Sequence, residues 1–212
     1  EALVEMIIGL AERDSSLFRK LDVAATTTGA GAASLAARLR WAIDAATRTR
    51  GFIDYGEVGG WAAGVDDVLD SLAGLAAAGH PAQALELAEH AIDGIEAAME
   101  AIDDSNGECG ALLDRARDIH LAAARAVQPE PIDLAGELFV RETAGEYDTF
   151  YRASRLYEDV LGEAGLAEYR RLALEAWAKL PPRSGQAQSS YDGRYNTLKD
   201  ILDFFSERAG DT

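Results

Sequence analysis

The 212-residue sequence predicts an all-α protein built as stacked antiparallel helical hairpins. Three observations point there. Apolar residues recur at three- and four-residue steps along most of the chain, the period of one helical face. Ala, Leu, Glu and Arg are abundant and only 5 Pro occur, while β-branched residues never alternate over a strand-length stretch, so the intrinsic preference is helical. The breaks between periodic segments are short, about two to six residues, which lays successive helices side by side.

Leu3, Met6, Ile7, Leu10 and Leu17 mark a first helix or helix pair through Leu21, followed by the small-residue break "ATTTGAGAAS". A second helix is expected from Ser34, as N-cap, to Thr49, with Leu35, Leu39, Ala42, Ile43 and Ala46 on one face and Gly51 as its stop. "GFIDYGEVGGWAAG" reads as a Gly-punctuated connector into a helix that turns Val65, Val68, Leu69, Leu72 and Leu75 inward and ends at Gly79. Pro81 opens the next helix at a position where its fixed φ is preorganised. Leu85, Ala88, Ile92, Ile95, Met99 and Ile102 form that helix's stripe, and the two helices form an antiparallel hairpin.

"DDSNGE" turns the chain into "CGALLDRARDIHLAAARAV"; Pro129 and Pro131 precede a helix from Asp133 to Thr143. Asp148 is expected to cap "TFYRASRLYEDVLG", which Gly162 or Gly165 breaks, and "LAEYRRLALEAWAKL" runs until Pro181 and Pro182 forbid continuation. After the linker "RSGQAQSSYDG", a last helix carries Leu198, Ile201, Leu202 and Phe205 and closes at Gly210. The organisation expected is N-terminal helices over 1–50, a hairpin core over 51–182, and a linker with a C-terminal helix over 183–212, all one continuous domain. "EALVEMIIGLAERD" begins as a helix already under way, so the chain reads as part of a longer protein.

The pair from Trp61 to Ile102 resembles a tetratricopeptide-type hairpin, with Gly79 in the inter-helix turn and Ala84, Ala88 and Ala91 as small residues where two helices approach closely. "RGFIDYGEVGGWAAGVDDVLD", "AIDDSNGECGALLDRARDIHLAA" and "YDTFYRASRLYEDVLGEAGLAEYRRLALEAWAKLPP" resemble blocks of uncharacterised bacterial all-helical, tetratricopeptide-like domains of unknown function, sometimes associated with SWIM-type zinc finger proteins. The resemblance implies an α-solenoid-like fold and a bacterial cytoplasmic setting. It implies no zinc role, because the finger's Cys-x-Cys and Cys-x-His ligands do not occur in this sequence.

Composition narrows the function classes. Hydrophobic residues at 48% and charged residues at 27% suit a globular chain, and no apolar run reaches the roughly 20 residues of a membrane span. A single cysteine, Cys109, forms no internal disulfide and fits a reducing cytoplasm. The net charge of −17 opposes phosphate approach and disfavours nucleic acid as a partner.

Chemical motifs are few. With Gly107 at position six of a calcium loop, position one falls on Ile102 and position twelve on Leu113, so two essential ligands are missing and "DDSNGE" reads as a helix turn, with Ser105 or Asn106 capping the next helix. His90 and His120 each lie fifteen residues from Ser105 and would stand at one height in a hairpin, where Glu86, Glu89 or Asp118 could complete a metal or proton-transfer site; the bland reading is a pair of hydrogen-bonded interhelical histidines. Cys109 sits near a helix N-terminus, but its acidic neighbours oppose thiolate formation. Tyr147, Phe150, Tyr151, Tyr157, Tyr169 and Trp177 could line a groove, yet Phe150, Ala153, Ser154, Tyr157 and Leu161 share one helical face and read as core. No phosphate loop, dinucleotide fingerprint or nucleophile elbow occurs, and no cofactor is expected.

Charge is the most distinctive feature. Residues 51–114 contain fourteen Asp and Glu and no Lys or Arg, whereas residues 1–50 carry seven basic and six acidic side chains. Glu86, Glu89, Asp93, Glu96 and Glu100 follow three- and four-residue steps and form an acidic stripe, extended by Asp66, Asp67 and Asp70 if these point the same way. The expected function is a noncatalytic protein-interaction or scaffold module whose acidic face docks a basic protein segment; the alternative is an enzyme or metal-binding domain using His90 and His120 with nearby carboxylates.

Overall fold

A computed structural model describes residues 32–181 and 193–210, and these form eight α-helices, one 3-10 turn and no strand beyond an isolated two-residue bridge. The helices expected through Leu21, the break up to Gly31 and the linker over 183–192 lie outside the described residues. The chain divides into two compact units, Glu1–Val127 and Gln128–Thr212.

The described part of the first unit holds α1 (Ala32–Thr47), α2 (Val58–Ala77), α3 (Pro81–Met99) and α4 (Glu108–Val127). α3 is its centre and packs against α1, α2 and α4. Three neighbours widen its buried arc beyond one stripe: Ala84, Leu87, Ala88, Ala91, Ile92, Ile95 and Ala98 are buried, and Leu85, expected inside, is half-buried. Pro81 occupies the first turn as its chemistry favours. α1 is already helical at Ala32, so Ser34 lies within it rather than at its cap; Ala32 and Ala33 are strong helix formers.

α1 meets α3 closely at one point. A Cβ added at Gly94 would stand 2.9 Å from the Thr47 hydroxyl, and Thr47 is itself buried and donates to the Ile43 carbonyl. Gly94→Ala should gain up to about 1 kcal/mol of helix propensity and lose about 1–3 kcal/mol to overpacking, a net loss in denaturant titration. Adding Thr47→Ala should recover most of it; an undiminished loss in the double variant would show that this contact does not set the cost.

The connector between α1 and α2 is shorter than its glycines suggest. α2 begins at Val58, inside "GEVGGWAAG", because Val58, Ala62 and Val65 share one buried face that holds the glycine-bearing turn helical. Before it, Ile53 forms an isolated parallel bridge with Ile102: the Ile53 N–H donates to the Ala101 carbonyl at 2.8 Å, and the Asp103 N–H donates to the Ile53 carbonyl at 3.0 Å. Ile53 and Ile102 then join Val58, Ala98 and Cys109 in one apolar cluster. At "DDSNGE", Gly107 takes the left-handed conformation expected of it (φ 75°). The acceptor at the start of α4 is neither Ser105 nor Asn106: Asp104 Oδ1 takes the Cys109 N–H at 2.9 Å.

The second unit holds α5 (Pro131–Ala144), a 3-10 turn (Asp148–Phe150), α6 (Ala153–Leu156), α7 (Glu158–Ala178) and α8 (Gly193–Ala209). α5 buries Leu134, Ala135 and Leu138 and packs chiefly on α7, where a Cβ at Gly165 would approach the Pro131 carbonyl oxygen to 2.8 Å. The single helix expected from Asp148 to Gly162 is broken twice. Arg152 is left-handed (φ 61°), and Tyr157 separates α6 from α7. Gly162, at φ 54° and ψ −169°, kinks α7 in a region only glycine enters readily. α8 buries Leu198, Ile201, Phe204 and Phe205, leaves Leu202 half-buried, and ends at left-handed Gly210. Among the described residues, no helix is long and apolar enough to cross a membrane.

Candidate functional site

With its apolar arc turned to three neighbours, α3 leaves one strip to solvent, and the acidic stripe lies along it: Glu86, Asp93 and Glu100 are exposed, Glu89 and Glu96 half-buried. Neighbouring helices supply counter-charges that no reading of α3 alone reveals. Arg40 of α1 donates to Glu86 at 2.5 Å, and His120 of α4 lies 3.2 Å from Glu89. On α2, Asp66 and Asp70 both receive the guanidinium of Arg115, while Asp67 is half-buried. The exposed pairs among these, those of Arg40 and Arg115, each contribute about 0–1 kcal/mol. Between Ala32 and Val127, sixteen Asp and Glu stand against seven Arg and no Lys, so the carboxylates outnumber the guanidiniums by nine.

The two histidines take different carboxylates. His90 Nε2 lies 2.6 Å from Asp44 Oδ1 on α1, whereas His120, buried, pairs with Glu89. Each thus ties α3 to a different neighbour. Among the described residues, no group of three or more His, Cys, Asp or Glu is placed to hold a metal ion. At the "DDSNGE" turn, Asp103 Oδ1 accepts the Ser105 N–H and hydroxyl, and Asp104 caps α4.

Cys109 is fully enclosed, and burial, reinforced by Asp104 and Glu108, pushes its thiol up to about 12, which keeps it protonated and unreactive. The aromatics of the second unit are mostly core: Phe150, Tyr157 and Tyr169 are buried, and Trp177 packs on Tyr195 at 5.0 Å. Tyr151 is exposed and donates its hydroxyl to Asp200 Oδ2 at 2.9 Å.

One pair in this unit, buried Tyr169 with half-buried Glu142, carries no sequence signature. The Tyr169 hydroxyl donates to Glu142 Oε2, while Glu142 Oε1 accepts the Arg152 N–H at 2.8 Å. The carboxylate therefore holds the left-handed residue that opens α6. Burial pushes the Glu142 carboxyl up to about 7, with Asp200 adding to the rise and the donors from Tyr169, Arg152 and Ala153 opposing it. The same burial and the adjacent carboxylate raise the Tyr169 phenol. The contacts of the pair tie α5 to α7 and to the turn before α6.

The sequence pattern located the acidic stripe but missed its counter-charges Arg40 and Arg115, the carboxylate Asp44 that takes His90, and the Glu142–Tyr169 pair. It also gave no prominence to two aromatics that the fold leaves in solvent, Phe52 at 70% and Tyr55 at 60% exposure.

Over residues 1–206 the chain matches a family described as a family of unknown function (DUF6880). No curated protein and no solved structure matches it.

Proposed function

From the premise that this chain belongs to the family of unknown function DUF6880, we propose that it is a noncatalytic protein-interaction module whose first unit docks a Lys/Arg-rich protein segment on the solvent face of α3. The carrying observation is the charge balance of that unit. Even with every Arg between Ala32 and Val127 paired to a carboxylate, nine acidic side chains remain in excess, and the five of the stripe along α3 and its C-terminal end follow helical spacing, with Glu86, Asp93 and Glu100 exposed and Glu89 and Glu96 half-buried. A cationic segment relieves their mutual repulsion, about 0.2–0.5 kcal/mol per like-charge pair, and its association is steered by the same field.

The packing order supports a scaffold role. Within the first unit α1 and α2 each contact the next helix and the next but one, and α3 contacts α4, an arrangement natural to stacked helical hairpins, and the reading includes a tetratricopeptide-like stack in a bacterial cytoplasmic protein. The histidine pairs support an interhelical tie rather than a shared reactive centre, since each ring is engaged by its own carboxylate.

The test is titration with a basic decapeptide at low and at moderate salt, using the wild type and the triple variant Asp93→Asn, Glu96→Gln, Glu100→Gln. Glu89 is left intact because it holds buried His120. Affinity should fall about tenfold in the variant, equivalent to 1.4 kcal/mol, and should fall with salt because exposed charges are screened beyond about 8–10 Å. Equal affinity in the folded triple variant would reduce the stripe to a solubility feature.

A further inference from the structure

The isolated bridge fixes more than a loop. Ile53 and Ile102 turn into the apolar cluster, and the two backbone bonds of Ile53, to Ala101 and from Asp103, hold the exposed Phe52 and Asp54 beside the end of α3. In parallel register this sets Phe52 alongside Ala101 and Asp54 alongside Asp103. Tyr55 follows directly, and Phe52 and Tyr55 are among the most exposed large apolar side chains of the described residues.

The carboxylates here are held in place. Asp54 Oδ1 accepts the Gly56 N–H at 3.0 Å, and Asp103 Oδ1 accepts the Ser105 N–H and hydroxyl. The second oxygen of each takes no part in these turns. Glu57 and Glu100, also exposed, add negative charge from the same connector and from the end of α3; Arg50, two residues before Phe52, is the nearest cation in sequence.

Exposed aromatic faces beside pre-oriented carboxylates are chemically matched to a guanidinium. Its plane stacks on an aromatic ring while its N–H fork bonds a carboxylate, whereas an ammonium is a compact, strongly hydrated charge that cannot use both at once. Resting on the docking function proposed above, we infer that the Phe52–Tyr55 platform, with Asp54 and Asp103, is an arginine anchor that makes the partner segment Arg-specific rather than merely basic.

Two peptides of identical sequence, one with Arg and one with Lys at every basic position, are titrated against the wild type, the Phe52→Ala, Tyr55→Ala double variant and the α3 triple variant. The wild type should bind the Arg peptide about tenfold more tightly, the sum expected of two exposed cation–π contacts. In the aromatic double variant that ratio should fall to near one with the Lys peptide unchanged, while the α3 triple variant weakens both peptides alike. Circular dichroism should be unaltered, because both rings lie outside the core. No preference in the wild type, or a preference retained without the rings, overturns the arginine anchor and leaves the acidic docking face standing; failure of both peptides to bind overturns both.

Discussion

Tyr169→Ala should destabilise the second unit by about 3–5 kcal/mol, the range for truncating a large buried aromatic. The ring is fully buried and meets Phe139 edge-on at 5.5 Å, a geometry that adds to its area burial. Its loss opens a cavity between α5 and α7 and strips Glu142 of a donor in the same step. Tyr169→Phe keeps the ring and removes only the hydroxyl, so its cost should be about 1–3 kcal/mol, the penalty for an unmet buried partner. Urea titration followed by the fluorescence of Trp177, which lies in the same unit, measures both. A Tyr169→Ala loss below about 1 kcal/mol would show that the ring is peripheral to the packing.

The stability of the second unit should also decline as pH rises past neutrality, and Glu142 should be responsible. Its carboxyl is raised from the ordinary 4.5 to about 7, so the folded state holds a proton that the unfolded chain releases at lower pH. A raised carboxyl contributes stability that is complete below about pH 4.5 and is lost as pH climbs through about 7, to a limit of about 3 kcal/mol. Because the sequence isoelectric point is about 4.5, where low net charge favours association, the measurement belongs between pH 5.5 and 8.5. Over that range the wild type should lose urea resistance with rising pH, and Glu142→Gln, which carries no titrating proton, should show a flatter profile. Parallel profiles for the two proteins would remove Glu142 from the account.

The expected all-α class followed from period and composition because those signals act within single elements. Pro81, Gly107 and Gly210 fell where their backbone chemistry requires, and Phe150, Ala153, Ser154, Tyr157 and Leu161 are all buried as their spacing implied. Yet the element carrying those five residues is not one helix. The break at Arg152 depends on the carboxylate of Glu142, ten residues back, and helical periodicity contains no term for such a contact. The acidic stripe was legible for the same reason that its neutralisation was not. Glu86, Glu89 and Asp93 repeat along one helix, while Arg40 and Arg115 reach their partners across 46 and up to 49 residues through helix crossings. Phe52 and Asp54 were read as connector because a bridge of two residues offers no alternation to detect.

That bridge also bears on the order in which the chain can assemble. Ile53 and Ile102 are about fifty positions apart, and closing so long a loop directly costs roughly 1.4 kcal/mol more than closing one a fifth as long, since the entropic term grows with the logarithm of length. Between them, however, α2 and α3 fold back on each other through the tight turn at Gly79. Once that pair has zipped, its two open ends are already neighbours, and the effective gap left for the bridge is a few residues. The route of lowest entropic cost therefore runs from the hairpin tip to its base, with the Ile53–Ile102 contact forming as the clasp of a nearly finished unit rather than as its nucleus.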